Sequence, residues 1–315
     1  MLTRAVVTGG AGFIGATLVD RIADEGAQVL VVDDLSGGRL ARLIDARATG
    51  NVTFHQADIR QPELVDLFAR FQPEVVFHLA AQIDARRSVV EPVLDTSVNL
   101  VGTVNVLQSA VEAGASRVVF SSSGGAQFGT TDRLPTPETE PRRPESPYGV
   151  AKGVTDRYLE YFAGNHDLDY MSLGFSNVYG PGQDPHGEAG VVAIFVQALL
   201  QGRTPKIFGD GSITRDYVYV DDVVDACVRA AERGGRRYVN IGTGVETPLN
   251  RLFDVVARAA GSSTRPEYAP GKPGDVPRSC LDASLAKEVL GWEPWVGLEE
   301  GVARTVKWFR QHPDF

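Results

Sequence analysis

Thr8-Gly9-Gly10-Ala11-Gly12-Phe13-Ile14-Gly15 follows directly on the apolar run Ala5-Val6-Val7 and leads into a helical pattern, and this order of strand, glycine turn and helix decides the fold. The string contains both G-x-G-x-x-G and G-x-x-G-x-x-G spacing. Glycine is needed there because the chain turns tightly and its backbone must approach a pyrophosphate, whose charge the amides at the helix start can meet. A second apolar run, Val29-Leu30-Val31-Val32, ends on Asp33. A carboxylate at that point accepts from a ribose 2′-hydroxyl and repels a 2′-phosphate, which selects NAD over NADP. An ordinary tight turn beside a solvated acid is the plainer alternative, and the strand–turn–helix setting weighs against it.

Further along stand Val52-Thr53-Phe54, Val75-Val76-Phe77 and Val118-Val119-Phe120, each nearly continuous in apolar residues, as strands covered on both faces are. They alternate with longer amphipathic stretches, the pattern of βαβ crossovers. Gln61-Pro62-Glu63 opens one helix, and Glu91-Pro92 leads into another that runs to about Val111, before Gly114. A helix over 147–162 and a strand near 170–173 follow. Glycine and proline then become dense, with helices expected at about 191–201, 221–232, 248–260, 283–290 and 298–311. The reading is an α/β chain with a doubly wound (Rossmann) parallel sheet over 1–173, joined by part of 212–242. A smaller mixed α/β substrate lobe takes 174–211 and 243–315. Asp58-Ile59 and Leu79-Ala80-Ala81-Gln82 fall at carboxyl ends of strands, where ligands bind in open sheets.

The 315 residues carry 31 Lys+Arg against 40 Asp+Glu, a net −9, the wrong sign for broad nucleic-acid binding. Hydrophobic residues at 43% and charged residues at 23% exclude disordered and collagen-like classes. Cys227 and Cys280 have no spacing for a disulfide framework or a zinc site, so a reducing compartment, the cytoplasm, is expected. The start of the chain lacks the apolar core of an export signal. The apolar stretch from Val191 to Leu200 is far shorter than the roughly twenty residues of a membrane span. His78 reads as a packed strand residue. His55, His166, His186 and His312 have no acid or thiol neighbours at ligand spacing, so no metal is expected.

Tyr148-Gly149-Val150-Ala151-Lys152 puts a phenol and an ammonium four residues apart, on one face of the expected helix. Ser121-Ser122-Ser123 ends the fifth strand at the sheet edge that carries the cofactor loops. A free phenol titrates near pH ~10 and serves as a base near neutrality only where cations stabilise the phenolate. Lys152 and an oxidised nicotinamide supply two.

These residues, with Asp33-Asp34-Leu35-Ser36, Asp58-Ile59-Arg60, His78-Leu79-Ala80-Ala81, Asn99 before Gly102-Thr103, Asn177-Val178-Tyr179-Gly180-Pro181, and Phe208-Gly209-Asp210-Gly211 before Arg215-Asp216-Tyr217, occur in one order along the whole chain. In that order the sequence resembles the extended short-chain dehydrogenase/reductase group of NAD-dependent sugar-nucleotide epimerases, and within it UDP-glucose 4-epimerases. The resemblance implies that Tyr148 is the base, that Lys152 tunes it, and that Ser123, or Ser122 one register earlier, bonds the reacting sugar hydroxyl. It implies cofactor contacts at Gly9, Gly12, Phe13, Ile14, Gly15, Asp33, Asp34, Leu35, Ser36, Asp58, Ile59, Leu79, Ala80, Ala81, Gln82, Asn99, Ser121, Tyr148, Lys152 and Phe175. Nucleotide-sugar contacts fall on Ser123, Tyr148, Asn177, Gly190, Val191, Lys206, Phe208, Arg215, Lys272 and Asp275. A surface ion pair with Asp216 is the plainer reading of Arg215.

The implied reaction inverts C4 of a UDP-hexose through a 4-keto sugar. Gly124, Gly125 and Ala126 offer none of the acids that related dehydratases and decarboxylases place beside the serine. Phe128, Gly182 and Lys272 depart from the tyrosine and two arginines usual at their positions. Ser279 stands where a bulky residue excludes a C2 acetamido group, so N-acetylhexosamines fit. Arg86 and Arg87 keep a UDP-glucuronate reaction open, their plainer reading being a solvated helix start. A non-catalytic NAD-binding scaffold or sensor is the rival of a different class. The resemblance also implies a homodimer packed through the helices at 92–112 and 147–163, with Val98, Val101, Val104 and Leu107 as an apolar pattern.

Overall fold

The computed structural model describes residues 2–186, 190–271 and 276–315. The first half alternates β1 (Arg4–Thr8), α1 (Phe13–Asp24), β2 (Gln28–Asp33), α2 (Ile44–Ala48), β3 (Val52–Gln56), α3 (Leu64–Phe71) and β4 (Val75–His78). It continues through α4 (Ala85–Val90), α5 (Pro92–Thr96), α6 (Thr103–Glu112), β5 (Arg117–Ser123), α7 (Gly124–Phe128), α8 (Pro147–Asn165) and β6 (Asp169–Phe175). The remainder holds β7 (Asn177–Tyr179), α9 (Val191–Leu200), β8 (Lys206–Phe208), β9 (Thr214–Arg215), β10 (Tyr217–Tyr219) and α10 (Val220–Glu232). It ends with β11 (Arg237–Ile241), β12 (Thr247–Pro248), α11 (Leu249–Ala260), β13 (Glu267–Ala269), α12 (Ser284–Leu290) and α13 (Leu298–Gln311).

Seven strands form one parallel sheet in the order β11-β6-β5-β4-β1-β2-β3. The doubly wound reading therefore holds. The continuous apolar runs are explained by two cores, one on each face. Val7, Val31 and Phe77 meet Leu18, Ile22 and Val223 on one side, while Val6, Val32 and Val76 meet Phe68, Val106 and Leu159 on the other. Each such side chain, taken fully out of water, contributes about 1.5–3 kcal/mol. The order reverses at β1, flanked by β2 and β4, and there the carboxyl ends leave a crevice.

The helix expected to run from Glu91 to Val111 is found as one helical run from Pro92 to Glu112, with a π-helical insertion in it. Between α5 and α6 the backbone forms a π-helical segment, Ser97–Gly102. Each i→i+5 turn accommodates an extra residue and rotates the helix beyond it. Val101 is 56% exposed while Leu107 is wholly buried, so the apolar pattern does not form one buried face.

The smaller lobe is tied together by three two-stranded ladders, β7 with β10, β9 with β12 and β8 with β13. Asp216 is buried, and its carboxylate accepts from Thr243 N (2.9 Å), Thr243 Oγ1 (2.6 Å), Gly244 N and Leu281 N (both 3.2 Å). An ion pair between Arg215 and Asp216 at the surface is thereby excluded, since the acid is spent inside on backbone amides. No helix among the described residues is long and apolar enough to cross a membrane.

His78 closes β4 and knits three elements. Thr103 Oγ1 donates to Asn99 O (2.7 Å), so it accepts from His78 Nε2 (2.9 Å), which leaves Nδ1 to accept from Thr8 Oγ1 at 2.7 Å. Burial, reinforced by the Lys152 charge, pushes the imidazole down to about 3, so it is neutral in the fold. An unfolded chain takes up this proton below pH ~6.5, so stability from the group is complete above that pH and falls as the pH drops toward the folded value. Between pH ~6.5 and ~5 the loss amounts to about 2 kcal/mol. His78→Gln should flatten that slope in urea-unfolding midpoints read across the interval, and an unaltered slope would refute the neutral, buried state.

Candidate active site

The glycine turn is shaped by contact. Gly9 lies in the left-handed region at φ 71°, and a Cβ there would stand 2.6 Å from Ala80 N, so the β1 and β4 loops touch at the crevice. At Gly15 a Cβ would stand 2.1 Å from Gly9 O. The first turn of α1 carries neither an acid nor a capping side chain, which leaves its amides for an anion, and Phe13 and Ile14 stand in that turn. Asp33 is buried at the end of β2, where its Oδ1 accepts from Leu35 N (2.8 Å) and its Oδ2 from Ala11 N (3.0 Å). Those bonds aim the carboxylate and hold the loop, with Leu35 at φ 65° and Asp34 accepting from Ser36 N at 2.8 Å. Glycine cradle, open helix start and oriented acid together fit a dinucleotide.

Asp58 is paired with Arg60, which holds its carboxyl below the usual range, and Ile59 packs beside Gly102. Leu79 N donates to Thr8 O (3.1 Å), and Ala80 and Ala81 continue that loop. Gln82 N donates to Asn99 Oδ1 (2.8 Å), while Asn99 Nδ2 donates back to Gln82 O (2.9 Å) and to Asp95 Oδ1 (2.8 Å). Phe175 is buried at the end of β6.

Local chemistry starts α8 where it does. Pro147 occupies the first turn, and Ser146 Oγ caps it by accepting from Gly149 N at 3.2 Å. Gly149 lets this turn approach α7, because a Cβ there would stand 2.2 Å from Ala126 O. Tyr148 N donates to Ser88 Oγ (3.1 Å), and the Ser123 side chain at the end of β5 acts on the phenol, favouring its ionised form. One turn on, Lys152 is buried, donates from Nζ to Ser121 O at 2.7 Å, and stands 5.8 Å from the Tyr148 ring centre. Desolvation pushes Tyr148 up to about 12, with the Ser123 bond pulling the other way, and pushes Lys152 down to about 8.

Of the two serines, Ser122 turns inward and bonds Gln127, whereas Ser123 meets the phenol. The paired glycines after them have a steric reason. A Cβ at Gly124 would stand 2.4 Å from Leu281 Cδ1, and one at Gly125 2.8 Å from Ser279 Oγ. Ser279 is thus brought beside the serine turn.

The remaining positions spread over the smaller lobe. Asn177 begins β7, Gly190 and Val191 start α9, Lys206 and Phe208 lie on β8, and Arg215 lies on β9. Lys206 Nζ is 3.8 Å from Glu267, and Arg215 Nη1 donates to Thr214 O at 2.7 Å. Lys272 and Asp275 lie outside the described residues. Arg87 is paired with Glu91 at the surface (2.6 Å), and Arg86 is exposed. Sequence reasoning missed Ser88, Asp95 and Asp156. No motif marks them, although Asp156 stands only one helical turn from Lys152.

Comparison with known proteins agrees with this geometry. Residues 5–242 match the model of the NAD dependent epimerase/dehydratase family. A UDP-glucose 4-epimerase of Mycolicibacterium smegmatis is 53% identical over 308 residues, 98% of each chain. The crystal structure of UDP-glucose 4-epimerase from Thermotoga maritima with UDP-glucose is 46% identical, with a TM-score of 0.95, covering 99% of this chain and all of that one. The Thermus thermophilus UDP-glucose 4-epimerase solved with NAD is 40% identical, with a TM-score of 0.91, covering 98% of this chain and 99% of the other. With a cradle for a dinucleotide at one side of the switch point and a phenol, a serine and an ammonium at the other, the chain belongs to the NAD dependent epimerase/dehydratase family.

Proposed function

We propose that this protein inverts C4 of a UDP-hexose, interconverting UDP-glucose and UDP-galactose, with NAD held in the crevice between β1 and β4. The observation that carries the reading is Tyr148 one helical turn before Lys152, whose buried ammonium donates to Ser121 O at 2.7 Å and stands 5.8 Å from the phenol ring centre. Bound NAD supplies a hydride acceptor and donor, and a positive ring. Tyr148 takes the O4 proton and later returns it, while Ser123 Oγ fixes the sugar hydroxyl against the phenol. Burial disfavours the phenolate, and in this reading the Lys152 ammonium 5.8 Å from the ring centre, with the positive ring of bound NAD, opposes that cost. Asp33 binds the adenosine ribose, and the α1 amides meet the pyrophosphate.

The lobe made by 174–211 and 243–315 holds the nucleotide and lets the keto sugar turn over, while 1–173 with part of 212–242 holds the cofactor. Asn177, Gly190, Val191, Lys206, Phe208 and Arg215 contact the nucleotide diphosphate in this reading, while Lys272 and Asp275 lie outside the described residues. The small Ser279 beside Gly125 admits a C2 acetamido group, so UDP-N-acetylhexosamines are second substrates. A glucuronate carboxylate finds less support, because Arg87 is engaged by Glu91. A pure NAD scaffold has no need of an ammonium buried beside a phenol. The protein acts in the cytoplasm.

Incubation with UDP-galactose, UDP-N-acetylgalactosamine and UDP-galacturonate, followed by separation of products, should give equilibrium mixtures of the first two with their C4 epimers. Tyr148→Phe should lose at least roughly 10²-fold in kcat while keeping NAD bound. Full activity in that variant removes the assignment.

We further propose a homodimer. Val93 is 82% exposed, and Val101, Val150 and Tyr161 are also exposed, on α5, the π-helical segment and α8. Apolar side chains left in water on adjoining helices mark an interaction face. Val93→Asp with Tyr161→Asp should sediment as a monomer where the parent sediments as a dimer. A parent of monomer mass would contradict the proposal.

A further inference from the structure

The loop after β2, residues 34–39, follows the acid that binds the adenosine ribose and has little apolar packing of its own, with Asp34, Ser36 and Gly37 exposed. Segments of this kind open locally at low cost unless contacts from outside hold them. Two arginines supply such contacts. Arg39 N donates to Ala11 O in the glycine turn at 2.9 Å, and Arg39 Nη2 lies 3.6 Å from the Asp184 carboxylate. Arg42, in the short turn Leu40–Leu43 before α2, spreads its guanidinium over three backbone carbonyls. Its Nη2 donates to Gly182 O at 2.9 Å, and its Nη1 to Ala11 O at 3.4 Å and Gly37 O at 3.5 Å. Gly182 and Asp184 belong to the smaller lobe, and Gln183 between them is buried and donates from Nε2 to Val178 O on β7 at 2.9 Å.

Phe315 closes the arrangement. Both guanidiniums lie over its ring, their central carbons 4.7 Å (Arg39) and 5.2 Å (Arg42) from the ring centre, and Trp308 and Phe309 of α13 meet the same ring edge-on. Two like charges share one aromatic face, and the carbonyls and the Asp184 carboxylate offset their repulsion.

We propose that Arg39, Arg42 and Phe315 form a clasp that fastens the cofactor loop to the smaller lobe and sets how fast bound NAD leaves. The inference rests on the reading of Asp33 and the glycine turn as the NAD site. Arg42 is a positioning residue, because it acts through Ala11, whose amide donates to Asp33 Oδ2 at 3.0 Å. For the adenosine end of the cofactor to leave, the loop must swing away from the crevice. That swing breaks the Gly182 and Asp184 contacts and lifts both guanidiniums off the ring. Tyr148 and Lys152 stand at the other side of the switch point, so the clasp governs retention of the cofactor and not proton transfer.

The test starts from protein loaded with NAD and freed of unbound cofactor by gel filtration. Dilution into ethanol with alcohol dehydrogenase reduces each NAD released, and the absorbance of NADH reports its rate. Arg42→Met should release NAD roughly tenfold faster than the parent. Phe315→Leu, which keeps an apolar contact for Trp308 but removes the aromatic face, should release it about threefold faster. Turnover that Arg42→Met loses on standing without free NAD should return when NAD is added, which a distorted site would not allow. Arg39→Gln, expected to speed release as well, replaces the methionine variant should that one not fold. Release at the parental rate from a folded arginine variant would overturn the clasp. A parent protein that takes up no NAD would instead overturn the cofactor reading, so the two failures are separable.

Discussion

An ammonium buried against the end of a parallel strand is the constraint on which the site depends. Lys152 donates to the Ser121 carbonyl from inside the helix–sheet interface, and that bond fixes α8 in height and rotation against β5. With Lys152 pinned, Tyr148 one turn earlier can only meet the last residue of the strand, and Gly149 removes the side chain that would hold α7 away. Burial makes the ammonium costly. The same burial gives its charge long reach, because little solvent screens it.

Around this pin several buried polar groups are bonded in series. His78, Thr8, Thr103 and Asn99 bond in a line from β1 to the π-helical segment, and Asn99 then fixes the loop after β4. Asp216 performs the same service in the smaller lobe, binding β9, the turn after β11 and the 280–281 segment to one carboxylate. Such networks are sensitive to the loss of one member, since a buried partner is left unpaired.

The 92–111 region shows how a periodic pattern can mislead. Apolar residues at regular spacing there read as one helix, which the chain forms, but with a π-helical segment inside it, and Val101 lies outward while Leu107 lies inside. Nothing local marks the insertion. Gly102 fits against Ile59, and Asn99 is drawn toward Gln82, contacts from elsewhere in the chain.

The doubly wound sheet, the glycine cradle and the Tyr148–Lys152 face were legible in the sequence, because each depends on local order: strand runs buried on both faces, a turn only glycine can make, and a four-residue helical repeat. Tertiary structure alone chose Ser123 over Ser122 as the partner of the phenol, buried Asp216 rather than leaving it to Arg215, and brought Ser279 beside Gly125. Those outcomes turn on which side chain is desolvated beside which, and desolvation is a property of the packed whole, not of neighbours along the chain.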